Sequence, residues 1–217
     1  MTTLGKFEGT FEVARNQGFI DRQDYYEWTE GPVVGKPGFS GEFFFLKDVD
    51  IVVHGNGQLK KFSCTVIKNN DSSNVKIVQP NHPITLGGGN VYPVTRMHGN
   101  AVRFQALYAN GQVSEGSINF PVDADQHSFV IPGTTGLIHL KRVEEEGNAI
   151  QLSWNGKTKT IVPGDFLRVN DVVLKYLESV PWVGMILSRD PGKPFVYFGF
   201  ILTTLGIIVY FLTKGRE

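Results

Sequence analysis

An all-β fold, an antiparallel sandwich or open barrel followed by one C-terminal transmembrane α-helix, is what this 217-residue sequence predicts. Three observations predict it. Twenty-five glycines and eleven prolines cut the chain into short runs rich in Val, Ile, Phe, Thr and Tyr, which suits strands better than amphipathic helices. Three Asn-Gly pairs, beginning at Asn56, Asn110 and Asn155, mark tight turns, because both residue types tolerate the positive φ of a type I′ hairpin. Finally, the eighteen residues from Phe195 to Leu212 carry no charge.

Taken in order, residues 1–40, including "EGPVVGKPGF", are weakly patterned and read as an N-terminal arm and loops. A β domain follows over 41–190. Strands are expected at Gly41 to Leu46, Asn74 to Gln79, Ser128 to Ile131, Gly136 to Leu140 and Val172 to Tyr176. Hairpins are expected about His54 to Gly57 in "DIVVHGNGQLKKFSCTVI", about Asn110-Gly111, and about Asn155-Gly156, where Ile150, Leu152 and Trp154 alternate up to the turn. So many antiparallel strands close as a sandwich or open barrel.

Residues 191–217 form the anchor and a short tail. Eighteen residues at about 1.5 Å rise span about 27 Å, against a hydrocarbon core of about 30 Å. Twelve of them are Leu, Ile, Val or Phe, which favour insertion by about 4 to 7 kcal/mol before the glycines and threonines offset part of it. Tyr197 and Tyr210 are placed as interfacial anchors, and Pro194 suits a helix start. Gly199, Thr203 and Gly206, spaced by four and then three, share a face that admits close approach of another helix; a lone anchor with incidental glycines is the alternative. Asp190-Pro191-Gly192 makes a tight turn that aims the chain into the bilayer.

Twenty-one basic and twenty-one acidic side chains cancel, and no basic cluster tracks phosphates, which argues against nucleic acid. The single cysteine, Cys64, reads as a buried structural thiol without an intramolecular partner. The first nineteen residues contain no apolar core of a secretory signal peptide. His54, His82, His98, His127 and His139 show no metal-site spacing, and no common hydrolase or nucleotide motif occurs. "LGGGN", Leu86 to Asn90, reads as a turn, and Glu144 to Glu146 as a solvated loop. The side chains imply no cofactor and no catalytic set, so an enzyme is not expected.

Two segments carry a family resemblance. The first runs from Asp48 to Tyr92, with Lys60, Lys61, Phe62 and Ser63 at its centre, then Asn81, His82, Pro83, Ile84 and Val91-Tyr92. The second has Arg189, Asp190, Pro191 and Gly192, then Val196, Tyr197, Phe198, Gly199 and Phe200. In this order and separation they resemble the extracytoplasmic domain and last transmembrane helix of the ResB proteins of cytochrome c biogenesis, over residues 30 to 212. The resemblance implies a β domain on the outer (periplasmic) side of the membrane, a cytoplasmic C-terminus at Lys214 and Arg216, and a CcsA-type partner in carrying haem across. Charge alone barely orients the helix, because Arg189 and Lys193 flank its other end. The family also has transmembrane helices ahead of its β domain and handles haem with histidines in membrane helices. Such helices, and a histidine in the span, are missing from this sequence.

The expectation is therefore a non-catalytic accessory subunit that scaffolds a membrane electron-transfer complex containing cytochromes, respiratory or photosynthetic. Its partners are integral membrane subunits and membrane lipid. The alternative is one part of a split ResB system in cytochrome c maturation and haem delivery.

Overall fold

The computed structural model describes residues 5–31, 38–54, 59–69, 71, 73–121, 126–132, 134, 136–143 and 148–214. A sheet of seven strands runs the length of the domain. Its spine is the antiparallel pair β8 (Gly89–Tyr108) and β15 (Val172–Arg189). At one end β1 (Phe7–Ala14) joins β15, β3 (Trp28–Glu30) joins β1, and β7 (Ile84–Leu86) joins β8. At the other end β14 (Phe166–Val169) pairs with β15, and β9 (Val113–Pro121) pairs with β8.

Two four-stranded sheets cover this long sheet. β2 (Gly18–Ile20), β4 (Phe43–Val53), β5 (Leu59–Lys68) and β6 (Val75–Val78) cover the half where β1 begins. β10 (Gln126–Val130), β11 (Leu137–Arg142), β12 (Ile150–Trp154) and β13 (Lys157–Ile161) cover the other. The domain is thus a sandwich in two lobes sharing one sheet. Helix α1 (Lys193–Lys214) leaves from the end of β15.

Period-two alternation builds each lobe. In β1, Phe7, Phe11 and Val13 point inward and Glu8, Thr10 and Glu12 outward, as a half-buried strand requires. Phe11 stacks on Phe19 with ring centroids 3.5 Å apart, and Phe44, Leu46, Phe62 and Cys64 complete the proximal core. The distal core gathers Phe104, Ile138, Leu140, Leu152, Ile161 and Tyr176. Between them lies a small waist of Ala14, Ala101, Val180 and Trp182.

The spine bends where its register breaks. Leu177 is one extra residue on β15, between the pairs Tyr176–Phe104 and Glu178–Arg103. Gly184 faces a wider excursion on β8, where Val94 to Met97 separate His98–Val183 from Pro93–Met185. Such bulges kink a strand and increase its twist, and here they let one sheet serve two lobes.

The turns answer to local chemistry. Asn155 and Gly156 have φ of 47° and 73°, the type I′ geometry expected between β12 and β13. At the β8–β9 hairpin only Gly111 takes a positive φ, 80°, after a turn closed by the Gly111 N–H bond to the Tyr108 carbonyl. That is the longer hairpin loop with a left-handed final residue, not the two-residue turn. β4 and β5 pair as expected; the Asn56-Gly57 turn between them and the Glu144 to Glu146 run lie outside the described residues.

The segment expected as arm and loops instead supplies β1, β2 and β3. Gly9 blurs the alternation of β1 for a packing reason. A Cβ there would come within 2.4 Å of the Tyr26 ring, so the aromatic of a later segment fills the place of the missing side chain. β15 likewise extends far beyond Val172 to Tyr176, running through Pro181 and Gly184 to Arg189.

Cys64 is fully buried, and burial, aided by the Asp48 charge, pushes its thiol up to about 12. A thiol so buried and so rarely ionised is inert. A maleimide is therefore expected to leave the native protein unlabelled and to label it stoichiometrically in denaturant. Rapid labelling of the native state, followed by mass spectrometry, would contradict this packing.

Candidate functional site at the end of the sheet that meets the helix

The last residue of β15, Arg189, turns inward rather than toward solvent, its side chain 14% exposed. Its Nε donates to the Gly87 carbonyl at 2.9 Å and its Nη1 to the Gly38 carbonyl at 2.7 Å. Its Nη2 donates to Asp21 Oδ2, and the guanidinium lies over the Phe7 ring, 5.5 Å from the centroid. Asp21, after β2, is completely buried. It also accepts from the Tyr26 hydroxyl (2.7 Å), the Ser40 amide (2.7 Å) and the Ser40 hydroxyl (2.6 Å). Both charges are thus paired and hydrogen-bonded, the condition for tolerating them inside a protein.

Burial alone would raise the Asp21 pKa; bonds from Ser40 and Tyr26 and the charge of Arg189 outweigh it and hold the carboxyl below its usual range. Desolvation and the bond to Asp21 push the Tyr26 phenol far up, so it stays a donor. The glycines of "LGGGN" make room for the guanidinium. A Cβ on Gly87 would come within 2.8 Å of Arg189 Nη2, and one on Gly89 within 2.6 Å of its Cγ. The stretch is a turn, as expected, but its third glycine seats an arginine.

Beyond Arg189 the chain reaches the helix in three residues. Asp190 Oδ1 accepts from the Gly192 amide at 3.0 Å, and the Asp190 carbonyl accepts from the Lys193 amide at 3.3 Å. The side-chain bond is the Asx turn that favours aspartate here. Pro191 packs beside Gly5, where a Cβ would meet its Cγ at 3.0 Å. Helix α1 then runs for 22 residues, about 33 Å at the usual rise. Its stretch Lys193–Leu212 is apolar enough to cross a membrane, with mean hydropathy 2.2 and no residue buried against the β domain. Lys214 Nζ donates to the Tyr210 hydroxyl at 3.3 Å and covers its ring, joining the cationic end to the aromatic anchor.

Gly199, Thr203 and Gly206 lie on this unburied helix. A Cβ on either glycine meets nothing within 4 Å, and Thr203 Oγ1 donates to the Gly199 carbonyl at 2.9 Å within its own helix. Asn81, His82 and Pro83 form an exposed turn between β6 and β7, closed by reciprocal backbone bonds of 3.0 Å between Gln79 and His82. His127 and His139 sit on the paired strands β10 and β11, one position out of register. His139, exposed on β11, shares a 2.8 Å bond with Ser128 of β10. Among the described residues no three His, Cys, Asp or Glu side chains come together as metal ligands. The arrangement holds the last residue of β15, with three residues between it and the start of the apolar helix.

Asp21, Ser40 and Tyr26 are the residues sequence reasoning missed. The only signal was Arg189 itself, an arginine at the mouth of a membrane span that the turn alone does not need.

This architecture defines a class: a membrane protein with a two-lobed β-sandwich domain clamped to a single described helix. Within that class the chain is similar to the cytochrome c biogenesis protein CcsB of cyanobacteria. It is 24% identical to CcsB of Prochlorococcus marinus (strain AS9601) over 182 residues, 79% of this chain and 41% of that protein. It is 36% identical to CcsB of Picosynechococcus sp. (strain ATCC 27264 / PCC 7002 / PR-6) over 72 residues, 33% of this chain and 16% of that one. It is 44% identical to CcsB of Synechococcus sp. (strain WH7803) over 43 residues, 20% of this chain and 10% of that one. The aligned part is thus less than half the length of each of these relatives. No family model and no solved structure matches. The findings agree with the ResB resemblance at the level of similarity to CcsB.

Proposed function

We propose that this chain serves cytochrome c maturation, as the β domain and anchoring helix of a CcsB-like assembly. The supporting observation is the length of the similarity. The match to the Prochlorococcus protein runs through most of this chain, which speaks for a shared domain rather than one shared motif. The scaffold of an electron-transfer complex, expected first from the sequence, has no comparable support, and its alternative is preferred.

In this reading the β domain stands on the outer side of the membrane and Lys214 on the cytoplasmic side. The chain handles no chemistry itself. It positions its lobes beside integral membrane partners of the maturation machinery, a CcsA-type protein among them. Deleting the gene is expected to abolish covalently attached haem in the cell's c-type cytochromes, read by haem staining, with restoration by the intact gene. Normal cytochrome c levels would overturn the reading, and co-isolation with mature electron-transfer subunits in that case would return the scaffold to first place.

The open face at Gly199, Thr203 and Gly206 is where a partner helix packs in this proposal. Replacing Gly199 and Gly206 together by Leu is expected to lower recovery of membrane partners in mild detergent severalfold. The melting of the β domain should stay unchanged, since neither glycine touches it. Undiminished recovery would remove the packing face from the proposal.

A further inference from the structure

Beside the first turn of α1 the outer face of the long sheet forms a groove of about 590 Å³, distinct from the buried Arg189 clamp. Tyr92, Pro93, Val94 and Thr95 of β8, Ile186 and Ser188 of β15, and Pro80 of the β6–β7 turn line it. Its charged wall carries two cations, Lys6 and Lys193, and two anions, Glu8 and Asp190. Lys6 Nζ lies 2.8 Å from Glu8 Oε1. The Ser188 hydroxyl also donates to Glu8 Oε1, at 3.3 Å. The bond from Glu8 raises the Lys6 pKa against the cost of burial, and the Asp190 charge adds to it.

Lys193 fixes the depth of the groove in the membrane. It is the first residue of both the helix and the apolar span, so the groove opens at the height of lipid headgroups, about one interfacial layer above the hydrocarbon. A cavity at that height lined by two ammonium and two carboxylate groups beside Pro93, Val94 and Ile186 matches a ligand that is itself doubly charged and partly apolar.

We propose that this groove binds the headgroup of an aminophospholipid, its phosphate on Lys6 and Lys193 and its primary ammonium on Glu8 and Asp190. The ethylene carbons of the headgroup lie against Pro93 and Ile186, and the glycerol and acyl chains leave past Lys193 toward the bilayer. A choline headgroup has the same charges and no N–H to donate. A glycerol headgroup has the phosphate and no cation for the carboxylates. The assignment concerns the membrane surface alone and stands or falls separately from cytochrome c maturation.

The test uses the full chain in nanodiscs of equal parts dioleoyl phosphatidylethanolamine, phosphatidylcholine and phosphatidylglycerol, released into mild detergent, with retained lipid counted by native mass spectrometry. The wild-type protein is expected to retain phosphatidylethanolamine over each of the others by about fivefold, the ratio one well-placed exposed charge contact supplies. Glu8→Gln with Asp190→Asn, which keeps the Asx oxygen, should bring the ethanolamine-to-choline ratio to one. Lys193→Gln, on the exposed helix turn, should lower retention of every phospholipid. Equal retention of the three lipids by the wild type, or a preference for phosphatidylglycerol, overturns the proposal without reference to any variant. So does an unchanged ethanolamine-to-choline ratio in the doubly substituted protein, whose fold is checked by its thermal melt.

Discussion

Asp21→Asn should destabilise the β domain by about 3–5 kcal/mol, the cost of stranding one charge of a buried pair. In a domain of this size that lowers the melting temperature by roughly 10 °C. Arg189 would be left against two carbonyls and an aromatic face, with no anion in reach of its Nη2. Arg189→Met should cost a similar amount by stranding Asp21. The double variant should fall well short of the sum, because each single change already destroys the shared interaction. Additive losses in thermal or urea unfolding would show that the two side chains act separately.

The same pair sets a pH dependence. Asp21 is held below its usual range in the folded protein, whereas it titrates near about 3.9 when unfolded. Its contribution is therefore complete above the unfolded value and is lost as pH falls through the folded one. The stability difference between wild type and Asp21→Asn should be constant at neutral pH and shrink below about pH 4. A difference that persisted unchanged at low pH would mean the carboxylate charge is not what stabilises.

The second large effect is expected at the waist. Trp182 is 2% exposed, its indole N–H donates to the Phe120 carbonyl at 2.9 Å, and it is the largest side chain between the two cores. Trp182→Ala should cost about 3–5 kcal/mol from lost packing and the cavity left behind. The distinctive result is expected in calorimetry. With the waist emptied, the lobes should melt in two steps rather than one. Gly99→Ala attacks the same place differently, since a Cβ there would sit 1.8 Å from the Phe120 carbonyl oxygen. A single unbroken transition in both variants would show that the shared sheet alone couples the lobes.

How much of this was legible depended on the range of the interaction. The β12–β13 hairpin announced itself because both turn residues and both alternating arms lie within thirteen positions, Ile150 to Val162 included. The apolar span of α1 was equally local. β1 was not legible, because Gly9 interrupts its pattern for the sake of Tyr26, and nothing in the sequence links the two. β15 looked short because Pro181 and Gly184 read as breaks, yet Pro181 stays in register opposite Asn100 and Gly184 sits at a bulge. The clamp was hidden for the same reason in stronger form. Its ion pair joins positions 168 apart, and neither "FIDRQD" nor "LSRDPG" reveals that its aspartate or arginine is buried.

The continuity of β15 with α1 makes the anchor and the domain one mechanical piece. Eighteen strand residues at about 3.3 Å each give a mast of as much as about 60 Å, stepped into the bilayer through only three residues. A joint so short, braced by Arg189, has little play, so any tilt of the helix sweeps the distal lobe through a proportionate arc. That lobe stands several Debye lengths, each about 8 Å, from the base of the mast. With the strand upright on the bilayer, whatever meets that lobe would meet a surface whose distance from the lipid is set by a strand's length and whose charges the headgroups would no longer reach.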